Sequence, residues 1–178
     1  MYEIIAQAIG IVAMLFNIFS YQQKSAKRII AFQLFGGLLF SVNFFMLEAY
    51  IGAILNMVAF IRAILFLKKE KLHTDHIAWF VGFCCVYVAA YVMTFTVFRQ
   101  AVTLPNLIIE CLPVVGMVFT HLAFRHNDAK IIRRFCLVSS CVWLIYNSIA
   151  LAVGAIACEA FSIVSIFIAM VRLDKKKV

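Results

Sequence analysis

Seven apolar runs take up nearly the whole of this 178-residue chain, at 3–22, 29–47, 50–67, 76–98, 104–124, 131–150 and 152–172. Each is near the roughly 20 residues that a helix needs to cross a bilayer. In hydrocarbon the backbone N–H and C=O groups must find partners inside the segment, so such runs fold as helices. The expected fold class is therefore all-α: a polytopic membrane protein with seven transmembrane helices. Hydrophobic residues make up 66% of the chain and charged residues 13%. A soluble domain is about half apolar and a quarter charged, so little chain is left for one here. The connections at "MLEAY" and "IALAVG" are short enough for each flanking pair of spans to pass for one long helix.

Charge sets the expected orientation. The net charge of +8 does not point to nucleic acid, because the basic residues fall in the gaps between apolar runs. Lys24, Lys27 and Arg28 lie in one gap. Lys68, Lys69 and Lys71 lie in a second, and Arg125, Lys130, Arg133 and Arg134 in and around a third. Arg172 and Lys175 to Lys177 form the tail. These are alternate gaps and share one side, while the opposite gaps carry only Glu48 and Arg99. The excess of Lys and Arg on cytoplasmic loops places the N-terminus outside, in the periplasm, and the C-terminus in the cytoplasm. The N-terminus has no basic stretch and carries Glu3, so the first run reads as a retained span. Six cysteines (84, 85, 111, 136, 141 and 158) all lie in apolar runs without CxxC spacing and read as packing residues. His73 and His76 flank Asp75 in a loop and make no complete metal set.

The chain repeats on itself at an offset of 103 residues. Val12, Met14 and Phe16 then meet Val115, Met117 and Phe119. Ala26-Lys27 meets Ala129-Lys130, and Phe32 and Leu34 meet Phe135 and Leu137. Spans one to three repeat as five to seven, and the fourth is a linker that returns the second copy to the same orientation. The expected units are residues 1–70, a first three-helix bundle; 71–103, the linker helix with its loops; 104–173, a second bundle; and 174–178, a basic cytoplasmic tail.

A 3+1+3 parallel repeat of this length with an outside N-terminus resembles the SWEET, SemiSWEET and PQ-loop transporters. The polar turn after their first helix, often Pro-Gln then Lys-Ser, is similar to "SYQQKSAK", where Gln22, Lys24 and Ser25 fit and Tyr21 stands for the proline. "IIECLPVVG", "CVWLIYN" and Gly154 to Glu159 resemble the YgjV family of bacterial inner-membrane proteins over most of the chain. The first resemblance implies a pocket between the bundles, with a tryptophan on the second helix and an asparagine on the third. Here Phe40 and Asn56 stand 16 residues apart in one copy, and Trp143 and Glu159 in the other.

Glu159 carries most weight, because an ionised acid at mid-helix costs roughly 2.5–3.5 kcal/mol on insertion scales. The expected substrate-binding set is Glu159, Asn56, Trp143, Phe40, Asn147 and Asn43, with Ser162 one turn beyond Glu159. Asn56 serves equally as an interhelical hydrogen bonder, and Phe40 and Asn43 as packing residues. Glu110, one turn before Pro113, and His121 are read as vestibule or proton-relay residues. Arg62, about a turn above the cytoplasmic edge, is expected to snorkel to it.

No GxSxG, HExxH or Walker loop occurs, so an enzyme is not expected, nor any metal or cofactor. The expected function is a membrane transporter or facilitator of a small polar solute, a sugar being the case the resemblance implies, working by alternating access. The alternative is a membrane receptor or interaction protein on the same fold. The partners expected are the lipid bilayer, a small polar solute and, in a homodimer, a second copy of the chain. A cysteine at Lys176 is expected to stay unlabelled when intact cells meet a membrane-impermeant thiol reagent. Labelling there would overturn the orientation.

Overall fold

The structure, a computed structural model, describes residues 2–47, 50–150 and 153–174. The described residues form eight α-helices and no strand: α1 Tyr2–Tyr21, α2 Ala26–Met46, α3 Tyr50–Leu67, α4 Lys69–Leu72, α5 Ile77–Thr96, α6 Leu104–Arg125, α7 Ala129–Ile149 and α8 Val153–Ala169. A π-helical turn, Met170–Asp174, ends the described chain. Glu48 in the "MLEAY" turn, two residues of "IALAVG" and the Lys175–Lys177 tail lie outside the described residues.

Five helices are long and apolar enough to cross a membrane: α1, α2, α5, α6, and α8 with its π turn. The described apolar part of α3, Gly52–Leu67, is shorter. α7 is a full 21 residues but carries Lys130, Arg133 and Arg134 in its first two turns and buries Ser139, Ser140 and Asn147. Its exclusion is thus a matter of polarity rather than of length.

Local chemistry starts α2 and α7 earlier than hydropathy suggests. α2 begins in the charged gap because the Ser25 hydroxyl accepts from the Arg28 N–H at 3.4 Å. At the position 103 residues on, Asp128 accepts from the Lys130 N–H at 2.8 Å and opens α7. Each cap satisfies a donor that the first turn leaves free. Thr103 caps α6 in the same way, with Pro105 in its first turn. His76, weighed in the sequence only as a metal ligand, caps α5 through Nδ1.

α2 packs between α1 and α3, and α7 between α6 and α8. Across these two groups α1 meets α8, α3 meets α6 and α2 meets α7, while α5 lies against α6 and α3. Swapping α1–α3 for α6–α8 leaves the contacts among these six helices unchanged, and α5 alone breaks the exchange. Individual contacts obey the same exchange. A Cβ on Gly36 would stand 2.6 Å from Asn17 Oδ1 and 3.4 Å from the Ala13 carbonyl. The residues 103 further on also touch: Ser139 donates to the Gly116 carbonyl at 2.8 Å and pairs with the Thr120 hydroxyl at 2.9 Å.

The helix contacts are rich in small and polar residues, and many large apolar side chains outside the buried clusters point out. Ala6, Ala13, Ser20, Ser41, Ser139 and Ser165 are buried, whereas Ile4, Ile11, Phe19, Val88, Ile108 and Phe161 are exposed. Lipid is as apolar as leucine, so helices there associate through close approach and hydrogen bonds. Gly116 is the tightest approach, since an added Cβ would lie 2.5 Å from Nε1 of Trp143, a rigid ring. Gly116→Ala is expected to destabilise the fold by about 1–3 kcal/mol. Gly82→Ala, where nothing lies within 4 Å, is expected to be neutral or slightly stabilising. Thermal denaturation of both variants in detergent checks the contrast.

Candidate functional site

Among the described residues, the α1–α3 and α6–α8 groups are pinned together at one end. Among the described residues, the hydrogen bonds that join them all lie in the half carrying the basic loops. The Gln22 amide at the end of α1 donates to the Ser165 carbonyl and hydroxyl at 2.7 and 2.8 Å, and the Ser165 hydroxyl donates to the Ile18 carbonyl at 2.7 Å. Gln33 of α2 donates weakly to the Cys136 sulfur of α7 at 4.0 Å, while its bond to Ser20 at 3.3 Å stays inside the first group. Arg62 donates to the Met117 carbonyl at 3.1 Å. Two cations close the rim. Arg133, buried in α7, donates to the carbonyls of Tyr21 and Gln23 at 3.3 and 2.9 Å and forms an ion pair with Asp174 of the π turn. Lys69 reaches across to the Arg125 carbonyl and the Asn127 side chain. Each cation belongs to one group and holds the turn of the other. Burial lowers the pKa of Lys69 from its ordinary value, with Asp75 opposing and Arg125 adding to the shift.

The larger apolar cluster lies at the basic end. Tyr21, Ile29, Ile30, Phe66, Phe124, Ile132 and Ile166 form this buried cluster across both groups. A second buried cluster, Phe83, Tyr87 and Met117 with Val58, Val114 and Trp143 against them, also joins α3 to α6 and α7 alongside α5. In the opposite half, side-chain hydrogen bonds stay inside a group. Asn43 donates to the Ala6 carbonyl at 2.7 Å, Ser41 to Ala53 at 2.9 Å, and Asn56 to Gly52 in its own helix at 2.9 Å.

This arrangement distributes the residues picked from the sequence. Glu159 of α8 is half-buried, with Ser140 of α7 beside its carboxyl. Tyr21 and Cys136 lie within electrostatic range of its carboxyl. Tyr21 comes from α1 and also engages Ser140, so Glu159 faces the other group of helices. Asn56 backs onto Gly37 through its main chain, the counterpart of Glu159 beside Ser140 at the 103-residue offset. Asn43 is buried and ties α2 to α1. Phe40 stacks on Phe44 with centroids 6.0 Å apart. Trp143 lies over Gly116 and edge-on to Tyr146. Tyr146 donates to Glu110 across a long 3.5 Å. Asn147 is buried on α7. Two apolar grooves, of 460 and 400 Å³, run along α5, and neither is lined by Glu159, Asn56, Asn43, Phe40, Trp143, Glu110, Asn147 or His121.

Arg62 corrects the expectation of snorkelling. It is 3% exposed and turns inward, donating through Nη1 to the Tyr87 hydroxyl at 2.9 Å as well as to Met117. Its guanidinium lies 5.2 Å from the centroid of the Phe124 ring. His121 does not open onto a mouth: it is fully buried, with Phe66, Phe80 and Phe83 at 5.1, 5.4 and 5.1 Å. Arg62 and His121 sit in one polar island inside an aromatic shell. Only the pairing of α3 with α6 and α5 reveals it, because sequence distance to the bilayer edge says nothing of which way a long side chain turns.

Eight helices, five of them of spanning length and composition, together with helix contacts rich in small and polar residues, define a multi-pass membrane protein. A family model described as bacterial inner membrane protein, Imp-YgjV, matches residues 4–177. The chain therefore belongs to the Imp-YgjV family of bacterial inner membrane proteins. No curated protein and no solved structure matches it.

The clasp gives a direct test. Arg133→Ala strips Asp174 and two carbonyls of their partner and is expected to cost up to about 3–5 kcal/mol. Asp174→Asn is expected to cost less, because the two carbonyl bonds survive. Thermal melting of the purified variants measures the order.

Proposed function

We propose that this protein is a small-solute facilitator in which two three-helix units, α1–α3 and α6–α8, move against each other, with α5 as the linker. The basic end is cytoplasmic on this reading, and the described conformation is the one closed to the cytoplasm. The observation that carries the proposal is the one-sided pinning of the units. Hydrogen bonds, two cation clasps and the larger buried apolar cluster hold the basic half together. Beyond the Tyr21–Ser140 contact at its inner limit, no hydrogen bond between described residues crosses the units in the other half. A scaffold gains from bonds at both ends, whereas alternating access needs one end free while the other is held.

The Ser140–Glu159 pair supports a polar solute. It lies at the inner limit of the unpinned half, on the face that α8 turns toward α1. Glu159 there offers two carboxyl oxygens, and Tyr21 and Ser140 offer hydroxyls that both donate and accept. Such a set suits the hydroxyls of a sugar-like molecule. The exchange of α1–α3 for α6–α8, which preserves the helix contacts, supports a parallel 3+1+3 repeat and the likeness to SWEET-type transporters. Asn43, with its amide bonded to α1, serves packing on this reading rather than the solute.

Gln22 and Ser165 supply the test. Gln22→Cys with Ser165→Cys, in a background freed of the native cysteines, places a crosslink across the closed end. In proteoliposomes offered labelled hexoses, amino acids and short-chain acids, oxidation is expected to abolish uptake of the transported solute and reductant to restore it. Uptake that persists through complete crosslinking sinks the mechanism. Ligand-dependent thermal stabilisation with no uptake of any solute favours the receptor alternative. Glu159→Gln is expected to keep solute binding and Glu159→Ala to lose it.

A further inference from the structure

The geometry points to a second binding site, for a small carboxylate, at the inner face where α3, α5 and α6 meet, with the free edge of the Arg62 guanidinium as its anchor. This inference does not depend on the transport reading. Arg62 is 3% exposed, and Nη1 alone carries its hydrogen bonds, to the Tyr87 hydroxyl and the Met117 carbonyl. The Met117 sulfur, at 4.0 Å, is a further weak contact of the same nitrogen. Nε is buried without a hydrogen-bond partner, and Nη2 makes no hydrogen bond to a described residue. Nε and Nη2 form the side of the planar fork that takes a carboxylate through two parallel bonds. No carboxylate of a described residue pairs with Arg62, the sole described ion pair being Arg133 with Asp174. A buried charge without a counter-ion is costly in so apolar a place.

His121 is the second observation. It is fully buried, and neither ring nitrogen has a hydrogen-bond partner. His121 stands four residues after Met117 on α6, so both share one face of that helix. Side chains on a helix lean toward its N-terminus, which lays the imidazole over the turn whose carbonyl Arg62 already holds. Arg62 and His121 are within electrostatic range of each other. Two unsatisfied buried groups on adjoining helices, one a cation with its bidentate edge unused, are what a carboxylate would satisfy together. The 400 Å³ groove between α3 and α5 borders this island at Phe83, a ring that also packs on His121 and Tyr87.

The test is a thermal-shift titration of the full chain in detergent with formate, acetate and butyrate, at constant ionic strength against chloride. A rise in Tm of about 2–4 °C is expected at saturation for the carboxylate that fits. Arg62→Lys keeps the charge and removes the fork, and is expected to lose most of that rise while still folding. Arg62→Met is expected to lose it entirely. The absence of any carboxylate-specific rise in the native chain overturns the site. So does a rise of the same size in Arg62→Lys.

Discussion

The Arg133 guanidinium reaches three parts of the chain that are far apart in sequence. It springs from the second turn of α7, holds two carbonyls of the turn after α1, and pairs with Asp174 at the end of α8. A guanidinium can do this because it presents five donors in a fixed plane. The rest of the basic end is organised around that hold. The Gln22 amide beside it meets Ser165, and the apolar cluster of Ile29, Ile132 and Ile166 closes beneath. Lys69 makes the reciprocal hold on the turn after α6. Lipid supplies no hydrophobic pressure between helices, so directional bonds of this kind determine where two helical groups are held together.

The interior departs from a soluble core for the same reason. Glycine, alanine and serine line many helix contacts, and large apolar residues such as Ile4, Ile11 and Phe161 are exposed on the outside. Close approach then does the work of burial, as where Trp143 covers Gly116 and Asn17 covers Gly36. The polar groups that remain inside divide into two regions. One lies between the units and contains Glu159, Ser140, Tyr21, Gln33 and Cys136. The other lies against α5 and contains Arg62, Tyr87 and His121 in an aromatic shell. The first follows the exchange of α1–α3 for α6–α8, with Gly37 and Asn56 as the counterparts of Ser140 and Glu159. The second does not, because α5 has no counterpart in that exchange.

Much of the candidate site was legible in the chain as residue types and little of it as geometry. An acid at position 159 stands out in an apolar run whatever the fold, and so does its relation to Asn56 at the 103-residue offset. Asn43 looked equivalent to other mid-span amides, yet its amide is bonded to the Ala6 carbonyl. Arg62 was misjudged because its depth suggested an edge within reach, while Tyr87 and Met117 offered inward partners from helices 25 and 55 residues away. Arg133 looked like one more charge of a basic gap. Its role depends on carbonyls 110 and 112 residues distant, which no local pattern displays.

By itself the sequence determined the helical class, the approximate length of the long helices and where the basic residues gather. These follow from local rules: hydrocarbon demands internally bonded backbone, and loops gather the charge that cannot enter it. Only the tertiary structure decided which cations turn inward, which amides are tied to neighbouring helices, and which end of the two groups is held. Those outcomes depend on partners brought together from opposite ends of the chain. A long polar side chain inside a membrane goes wherever such a partner lies, whatever its own place in the sequence.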